Sequence, residues 1–392
     1  MSQITPPLDV TALRAGFPSL SDDRVYLDNP GGTQVHRTAI DAMTGYLRES
    51  NANLGGPFAT SVASDRMLDQ ARADLAALLG ADPREIAFGA NMTTLTMHAS
   101  RTLCRDLGPG DEVLVTGLDH DANIAPWLLA AADRGVTVRQ AGIDLETCLV
   151  DVDDFARKLS DQTRVAAFGW ASNGAGTVND VARLVELTRA AGAVSYVDAV
   201  HYAPHGPIDV AALGCDFLVC SAYKFFGPHV GVLFGRRGLL ERHRPYKVRP
   251  AHDEPPGSWE TGTVNLEGIA GAAAAARYLT GLGMDAVQAT EQALTVQLLG
   301  GLEDIPAVTV YGTRDLARRV PTVVFTVAGR TPAEVSGALA ELDIFVWDGN
   351  YYAMELMQRL GLDDHGGAVR VGAVHYNTPA EIDRFLEAVA GL

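Results

Sequence analysis

Along the first two thirds of the chain, short apolar runs bounded by turn residues alternate with stretches whose apolar positions recur at helical spacing. The runs at 24–28, 85–89, 111–116, 136–139, 165–170, 193–198, 217–220 and 230–234 are too short for helices and predict strands. Helices are expected over 38–50, 64–79, 95–103, 153–159 and 178–192, with a short one over 9–20 that Asp9 can cap. Strands alternating with helices build a mostly parallel sheet, so the fold class is α/β. A long Ala-rich helix over 266–281 interrupts this rhythm. Beyond it, helices at 284–303, 332–342 and 379–390 mix with strands at 308–311, 321–327, 344–347 and 369–374, which suggests a smaller, largely antiparallel α+β layer. The expected organisation is a segment 1–20 packed on the small domain, a large domain 21–265, a linking helix 266–283 and a small domain 284–392.

Composition narrows the function. The 392 residues carry 31 Lys and Arg against 48 Asp and Glu, a net charge of −17, so a nucleic-acid partner is not expected. No run of 18 apolar residues exists, and a membrane span is not expected either. The first seven residues lack a basic start and an apolar core, so a signal peptide is not expected and a cytoplasmic location is the default. The four cysteines, Cys104, Cys148, Cys215 and Cys220, have no metal-ligand spacing, and no metal is expected.

Candidate chemistry enters with Lys224, which lies between two apolar runs and is followed by Gly227 and Pro228. A desolvated lysine has a lowered pKa and can act as an amine nucleophile. A lone lysine there would be an ordinary hairpin residue. However, the run at 193–198 ends on an acid, Asp198. A Lys that forms a Schiff base and an Asp that keeps a pyridine nitrogen protonated are the two groups a pyridoxal phosphate site needs.

Asp198-Ala-Val-His201 and Ser221-Ala-Tyr-Lys224-Phe-Phe-Gly-Pro resemble the pyridoxal phosphate motifs of the class V aminotransferase superfamily, in its cysteine desulfurase and selenocysteine lyase branch. The resemblance runs from about Tyr26 to the C-terminus. It implies fold type I, with a mostly parallel seven-stranded sheet in the large domain, and a homodimer with the active site at the subunit interface. It assigns Lys224, Asp198 and His120 to catalysis, His120 by stacking on the cofactor ring and relaying protons. It places Asn173 and His201 near the cofactor's phenolic oxygen. Ser221 and Tyr223 fall beside the phosphate, as do Met92 and Thr93, or Thr94 if the register shifts by one. That stretch precedes a helix start, where free backbone N–H groups favour anions, although a plain N-cap is the other reading. Thr263 would reach the phosphate of the neighbouring subunit. Arg370 would hold the substrate carboxylate through two parallel hydrogen bonds. Asn29, Gly31 and Gly32 form a turn that lies beside substrate in relatives; a purely structural turn is the alternative.

The pattern departs from the desulfurases in one place that matters. Their nucleophilic Cys lies on a loop upstream of the carboxylate-binding Arg, and here residues 347–361 contain none. Tyr351, Tyr352 and Asp348 in that stretch either face substrate or begin a packed helix. The loop at 51–59 also lacks the family's His and Arg. The expectation is therefore an enzyme acting on an α-amino acid through Cα carbanion chemistry, by β- or γ-elimination at a C–S or C–Se bond without a persulfide cysteine. Epimerisation, transamination and a non-catalytic dimer that retains the cofactor are the alternatives.

Overall fold

The computed structural model describes residues 8–20 and 22–392; residues 1–7, on which the reading of the N-terminal start rests, and Ser21 lie outside the described residues. Seven strands form the main sheet: β1 (Ile86–Gly89), β2 (Glu112–Thr116), β3 (Thr137–Ala141), β4 (Thr163–Gly169), β5 (Val194–Asp198), β6 (Phe217–Ser221) and β7 (Gly231–Gly235). Their spatial order is β1-β7-β6-β5-β4-β2-β3. Only β7 runs antiparallel to its neighbours; every other pairing is parallel. The inner runs are continuously apolar because both faces are covered, whereas the edge strand β3 is largely exposed. In β6, Leu218 and Cys220 enter one core while Phe217 and Val219 enter the other.

One of these layers contains α1 (Arg37–Glu49), α2 (Ala59–Leu79) and α6 (Leu266–Leu282), and around the sheet also lie α3 (Met92–Leu103), α4 (Ala125–Ala132) and α5 (Val181–Ala190). The Ala and Gly residues of α6 let backbones approach closely: a Cβ on Gly271 would lie 2.7 Å from Met43 Cγ on α1. Helix α4 was not foreseen. Its apolar face is all-round rather than periodic, and Pro126 occupies its first turn, where a missing N–H costs nothing.

The C-terminal part has its own four-stranded antiparallel sheet of β8 (Val308–Tyr311), β9 (Thr322–Val327), β10 (Trp347–Gly349) and β11 (Ala368–Gly372), ordered β8-β9-β11-β10. Helices α7 (Met284–Glu303), α8 (Pro332–Ala340) and α9 (Pro379–Ala390) cover it. Thr331 with Glu334, and Thr378 with Glu381, close capping boxes that set the starts of α8 and α9.

Two expectations change. The strand expected over 344–347 is split, and Ile344–Phe345 pairs in parallel with Val25–Tyr26. The strand at the start of the chain therefore packs with the C-terminal part: Val25 and Leu27 share a core with Leu294, Val323 and Ile344. A boundary at residue 21 does not divide the packing. The preceding segment lies on the same side, with Leu8 N–H donating to Thr290 Oγ1 at 3.1 Å and Arg14 paired with Glu381 at 2.9 Å.

Candidate functional site

The parallel strands place their carboxyl ends on one edge of the sheet. The segments that follow β1, β2, β4, β5 and β6 carry Met92 to Thr94, His120, Asn173, Asp198 to His201, and Ser221 to Lys224. In open α/β sheets this edge is where ligands bind. A cavity of about 680 Å³ opens there, and ten of the residues proposed from sequence line it: Met92, Thr93, Thr94, His120, Asn173, Asp198, His201, Ser221, Tyr223 and Lys224.

Lys224 lines the cavity, half-buried, and its Nζ donates to the carbonyls of Pro30 and of Gly31, the latter at 3.1 Å. Burial, reinforced by the Arg370 guanidinium, pushes its amine from 10.5 down to about 7. Asp198 is pushed up to about 6 by burial; one oxygen accepts from Val200 N–H at 2.9 Å, and Lys224 pulls the other way. His120 is held down to about 4 by burial and by the cations Lys224 and Arg370. Its Nδ1 accepts from Ala122 N–H at 3.0 Å, so the neutral ring carries its proton on Nε2.

One end of the cavity is built on the start of α3. Asn91 caps the helix by accepting from Thr94 N–H at 2.8 Å, and Ser221 Oγ accepts from Met92 N–H at 2.9 Å. The sheet thus brings a hydroxyl from β6 against the first turn of a twelve-residue helix. His201, fully buried, pairs its Nε2 with Thr322 Oγ1 at 3.0 Å, and burial drives its pKa well down. Tyr223 lies over Lys224, 5.1 Å from Nζ to the ring centroid, and stacks on His229 at 5.0 Å.

Arg370 lies just outside the lining. It is buried and in no ion pair among the described residues; its Nη1 donates to the Asn173 carbonyl at 2.8 Å and Nε has no partner. Burial lowers it to about 10, and its guanidinium lies 4.3 Å from the Tyr351 ring centroid. Asn173 Nδ2 donates to the Tyr351 carbonyl at 2.8 Å, which leaves Asn173 Oδ1 buried without a donor. Tyr352 stacks on His120 with centroids 5.2 Å apart. Neither tyrosine begins a helix; both take left-handed φ values of 53° and 58°, and the helix starts at Met354.

Four further proposed residues are not brought into the cavity. Asn29 is spent on structure: its Nδ2 donates to Tyr26 O, Gly372 O and Asn377 Oδ1, and its Oδ1 accepts from the Tyr376 hydroxyl. Gly31 contributes its carbonyl to Lys224, and a Cβ on it would strike the Trp347 indole; Gly32 packs against the Tyr223 ring. Thr263 is exposed and borders a different depression, together with Thr94. Sequence reasoning missed two groups. Asp119, buried, lines the cavity and accepts from Thr116 Oγ1, Asn123 Nδ2 and Gly169 N–H, and burial with the charge of Asp198 pushes it up to about 7. Asp28 sits near Arg370 and Lys224, with Oδ1 unpartnered and its carboxyl pushed up to about 6 by burial. An acid next to His120, and another at the end of the 24–28 run, were the available signals.

A family model described as Aminotransferase class-V matches residues 25–385. The chain belongs to this family. It is 34% identical to an aminotransferase-like protein of Gibberella zeae, with 96% of each chain covered. It is 32% identical to a probable cysteine desulfurase of Mycolicibacterium paratuberculosis over 97% of this chain, and spans 58% of that protein's length. Among solved structures it superposes on an apo cysteine desulfurase from Thermococcus onnurineus with a TM-score of 0.92 at 27% identity, both chains being fully covered. A cysteine desulfurase from Escherichia coli gives 0.89 at 28%, over 98% of each chain.

Class V aminotransferases and cysteine desulfurases use pyridoxal 5′-phosphate, and this chain is a pyridoxal phosphate-dependent enzyme of that superfamily. The residues present fit the cofactor. A lysine of lowered pKa shares the cavity with a buried carboxyl that is in no ion pair among the described residues, a helix start meets the Ser221 hydroxyl, and the neutral His120 ring offers a flat face.

Proposed function

We propose that the enzyme acts on an α-amino acid and eliminates a β or γ substituent, as a carbon–sulfur or carbon–selenium lyase that uses no cysteine of its own. The observation that carries the elimination reading is the placement of its sulfur. All four cysteines are buried, none lines the cavity, and burial pushes their thiols up to about 11 or 12. A thiol held protonated is neither a nucleophile nor a persulfide carrier.

Bound pyridoxal phosphate supplies the electron sink. In this reading Arg370 takes the substrate carboxylate with the guanidinium edge that is free, and the Lys224 amine holds and moves the Cα proton. Asp198 keeps a proton on the cofactor's ring nitrogen, which its buried carboxylate favours electrostatically. His120 would cover the ring without adding charge, and Asn173 and His201 would be the residues that hold the phenolic oxygen. Met92, Thr93, Thr94, Ser221 and Tyr223 receive the phosphate. Thr263, exposed and outside the cavity of its own chain, serves the site of a second copy in a homodimer.

The test is a panel of amino acids incubated with the cofactor-loaded protein. Elimination releases keto acid, ammonia and a thiol or selenol, with no cysteine persulfide detected by alkylation and mass. A persulfide on any cysteine overturns the reading. Transamination, which the aminotransferase-like relative of similar length favours as second reading, gives more than one keto acid per site only when an acceptor is supplied, and releases no ammonia or thiol; epimerisation exchanges Cα configuration and releases nothing.

A further inference from the structure

Residues 350–353 form a tight turn beside the cavity, in contact with two of its lining residues, His120 and Asn173. Ala353 N–H donates to the Asn350 carbonyl at 2.7 Å, and Tyr352 N–H donates to Asn350 Oδ1 at 3.1 Å. The two segments that carry cavity residues hold this turn by its carbonyls. Asp121 N–H donates to Tyr352 O at 2.8 Å, and Asn173 Nδ2 donates to Tyr351 O at 2.8 Å. Both tyrosines sit in left-handed backbone, which is unfavourable for residues with a Cβ and persists only where surrounding contacts over-determine it. That conformation turns two successive rings onto the site. Tyr351 lies flat on the Arg370 guanidinium, while Tyr352 lies on His120 and leaves 67% of its surface open. Trp347, half exposed, stands against Gly31, whose carbonyl holds Lys224.

We infer that this turn is an aromatic subsite for the substrate side chain, so the amino acid acted on carries a large apolar or aromatic group beyond Cβ. The inference rests on the reading of Arg370 as the carboxylate site and Lys224 as the amine site. With those two ends fixed, the side chain on Cα is left to meet the exposed face of Tyr352, which stacks on His120. The apolar members of the cavity wall, among them Met97, Ala122 and Val200, add no charge to meet. A bare tyrosine ring in water is an unfavourable surface, and covering it with another apolar or aromatic group is the favourable event.

Joined to the elimination reading, the substrate is an S-substituted cysteine rather than cysteine. The Cα proton passes to the Lys224 amine, and the Cβ–S bond breaks with both electrons going to sulfur. The substituted thiolate takes a proton and departs. Water then hydrolyses the released enamine to ammonia and a three-carbon keto acid, so no oxidant or sulfur acceptor is needed.

The experiment separates the two readings. Propionate and 3-phenylpropionate, carboxylates that lack the amine and cannot react, are titrated into cofactor-loaded protein and followed by calorimetry. The expected result is that 3-phenylpropionate binds at least about tenfold more tightly than propionate. Tyr352→Ala should remove most of that ratio and Tyr352→Phe should restore it. A ratio near one in the wild type, or a ratio unchanged by Tyr352→Ala, overturns the inference. Arg370→Ala that binds both carboxylates as the wild type does would overturn the carboxylate reading and the inference with it. In parallel, S-benzylcysteine is assayed for keto acid and benzyl thiol. Tyr352-dependent binding of 3-phenylpropionate without keto acid release retains the aromatic subsite and removes the elimination reading.

Discussion

Lys224 titrates near 7 rather than 10.5 because burial withholds water from its ammonium and Arg370 repels it. The sign of this shift has a measurable consequence. Only the neutral amine attacks an aldehyde, and its fraction rises as pH rises through the lowered pKa. Cofactor capture by the stripped protein should therefore accelerate up to about pH 7 and level off above it. A rate still climbing steeply between pH 8 and 10 would return Lys224 to an ordinary solvated amine. Lys224→Ala should lose the yellow chromophore, and borohydride should fix no cofactor to the protein. Asp198→Ala should retain much of the binding yet lose turnover by about 10²–10³, because the electron sink loses its electrostatic partner. Unchanged turnover per bound cofactor would remove Asp198 from that role.

At the scale of elements, the anion end of the site depends on how α3 begins. Asn91 accepts from Thr94 N–H at 2.8 Å and keeps an extended backbone that aims the first turn at the cavity. Asn91→Ala should cost about 1 kcal/mol of stability, read by denaturant titration, and should raise the cofactor's dissociation constant more than that of a ligand lacking phosphate. Equal weakening of both would mean that the helix start serves folding alone. Another junction is Gly176, which takes φ of 73° where β4's following loop meets the start of β9. An added Cβ would overlap the Thr322 carbonyl, in a backbone region that already disfavours side chains. Gly176→Ala should destabilise by about 2–4 kcal/mol in the same measurement.

For the whole molecule, Glu291 on α7 ties the two parts of the chain together. It accepts from His205 Nδ1 at 2.7 Å and from the His375 backbone N–H at 3.0 Å, and the His375 ring accepts or donates to the Tyr278 hydroxyl at 2.7 Å. Burial pulls its pKa up, but His205 and His375 outweigh that and hold it below its ordinary 4.5. A depressed acid contributes stability above its unfolded pKa and loses that contribution as pH falls through the folded value. Acid unfolding below about pH 4.5 should therefore be shallower in Glu291→Gln than in the wild type, at lower overall stability. The cysteines carry the other molecule-wide expectation. Replacing all four by Ser or Ala should lower stability through lost packing, while turnover per mole of bound cofactor in the folded fraction holds. A single cysteine variant that folds, keeps its cofactor and loses turnover would reinstate a desulfurase mechanism.

Short apolar runs ending in Asp198 and preceding Lys224 announced the cofactor chemistry, because a strand buried on both faces needs continuous apolar sequence and a site needs a particular acid and amine. The parallel sheet was legible for the same reason, but one of the eight runs, 24–28, lies outside it, and the count of seven strands came from the family resemblance. Sequence could not show that β4 would lie between β2 and β5, which is what carries Asn173 between His120 and Asp198. Nor could it show that Val25 and Leu27 would leave the large sheet for the C-terminal core, since alternation marks a face without naming the partner. Asn29 illustrates the limit within one residue: its turn was legible, but whether its amide met substrate or backbone depended on Tyr26, Gly372, Asn377 and Tyr376 arriving from both ends of the chain. The aromatic turn at 350–353 is of the same kind. Two tyrosines in a row specify no direction until cavity segments from elsewhere in the fold grip their carbonyls and force left-handed backbone on both.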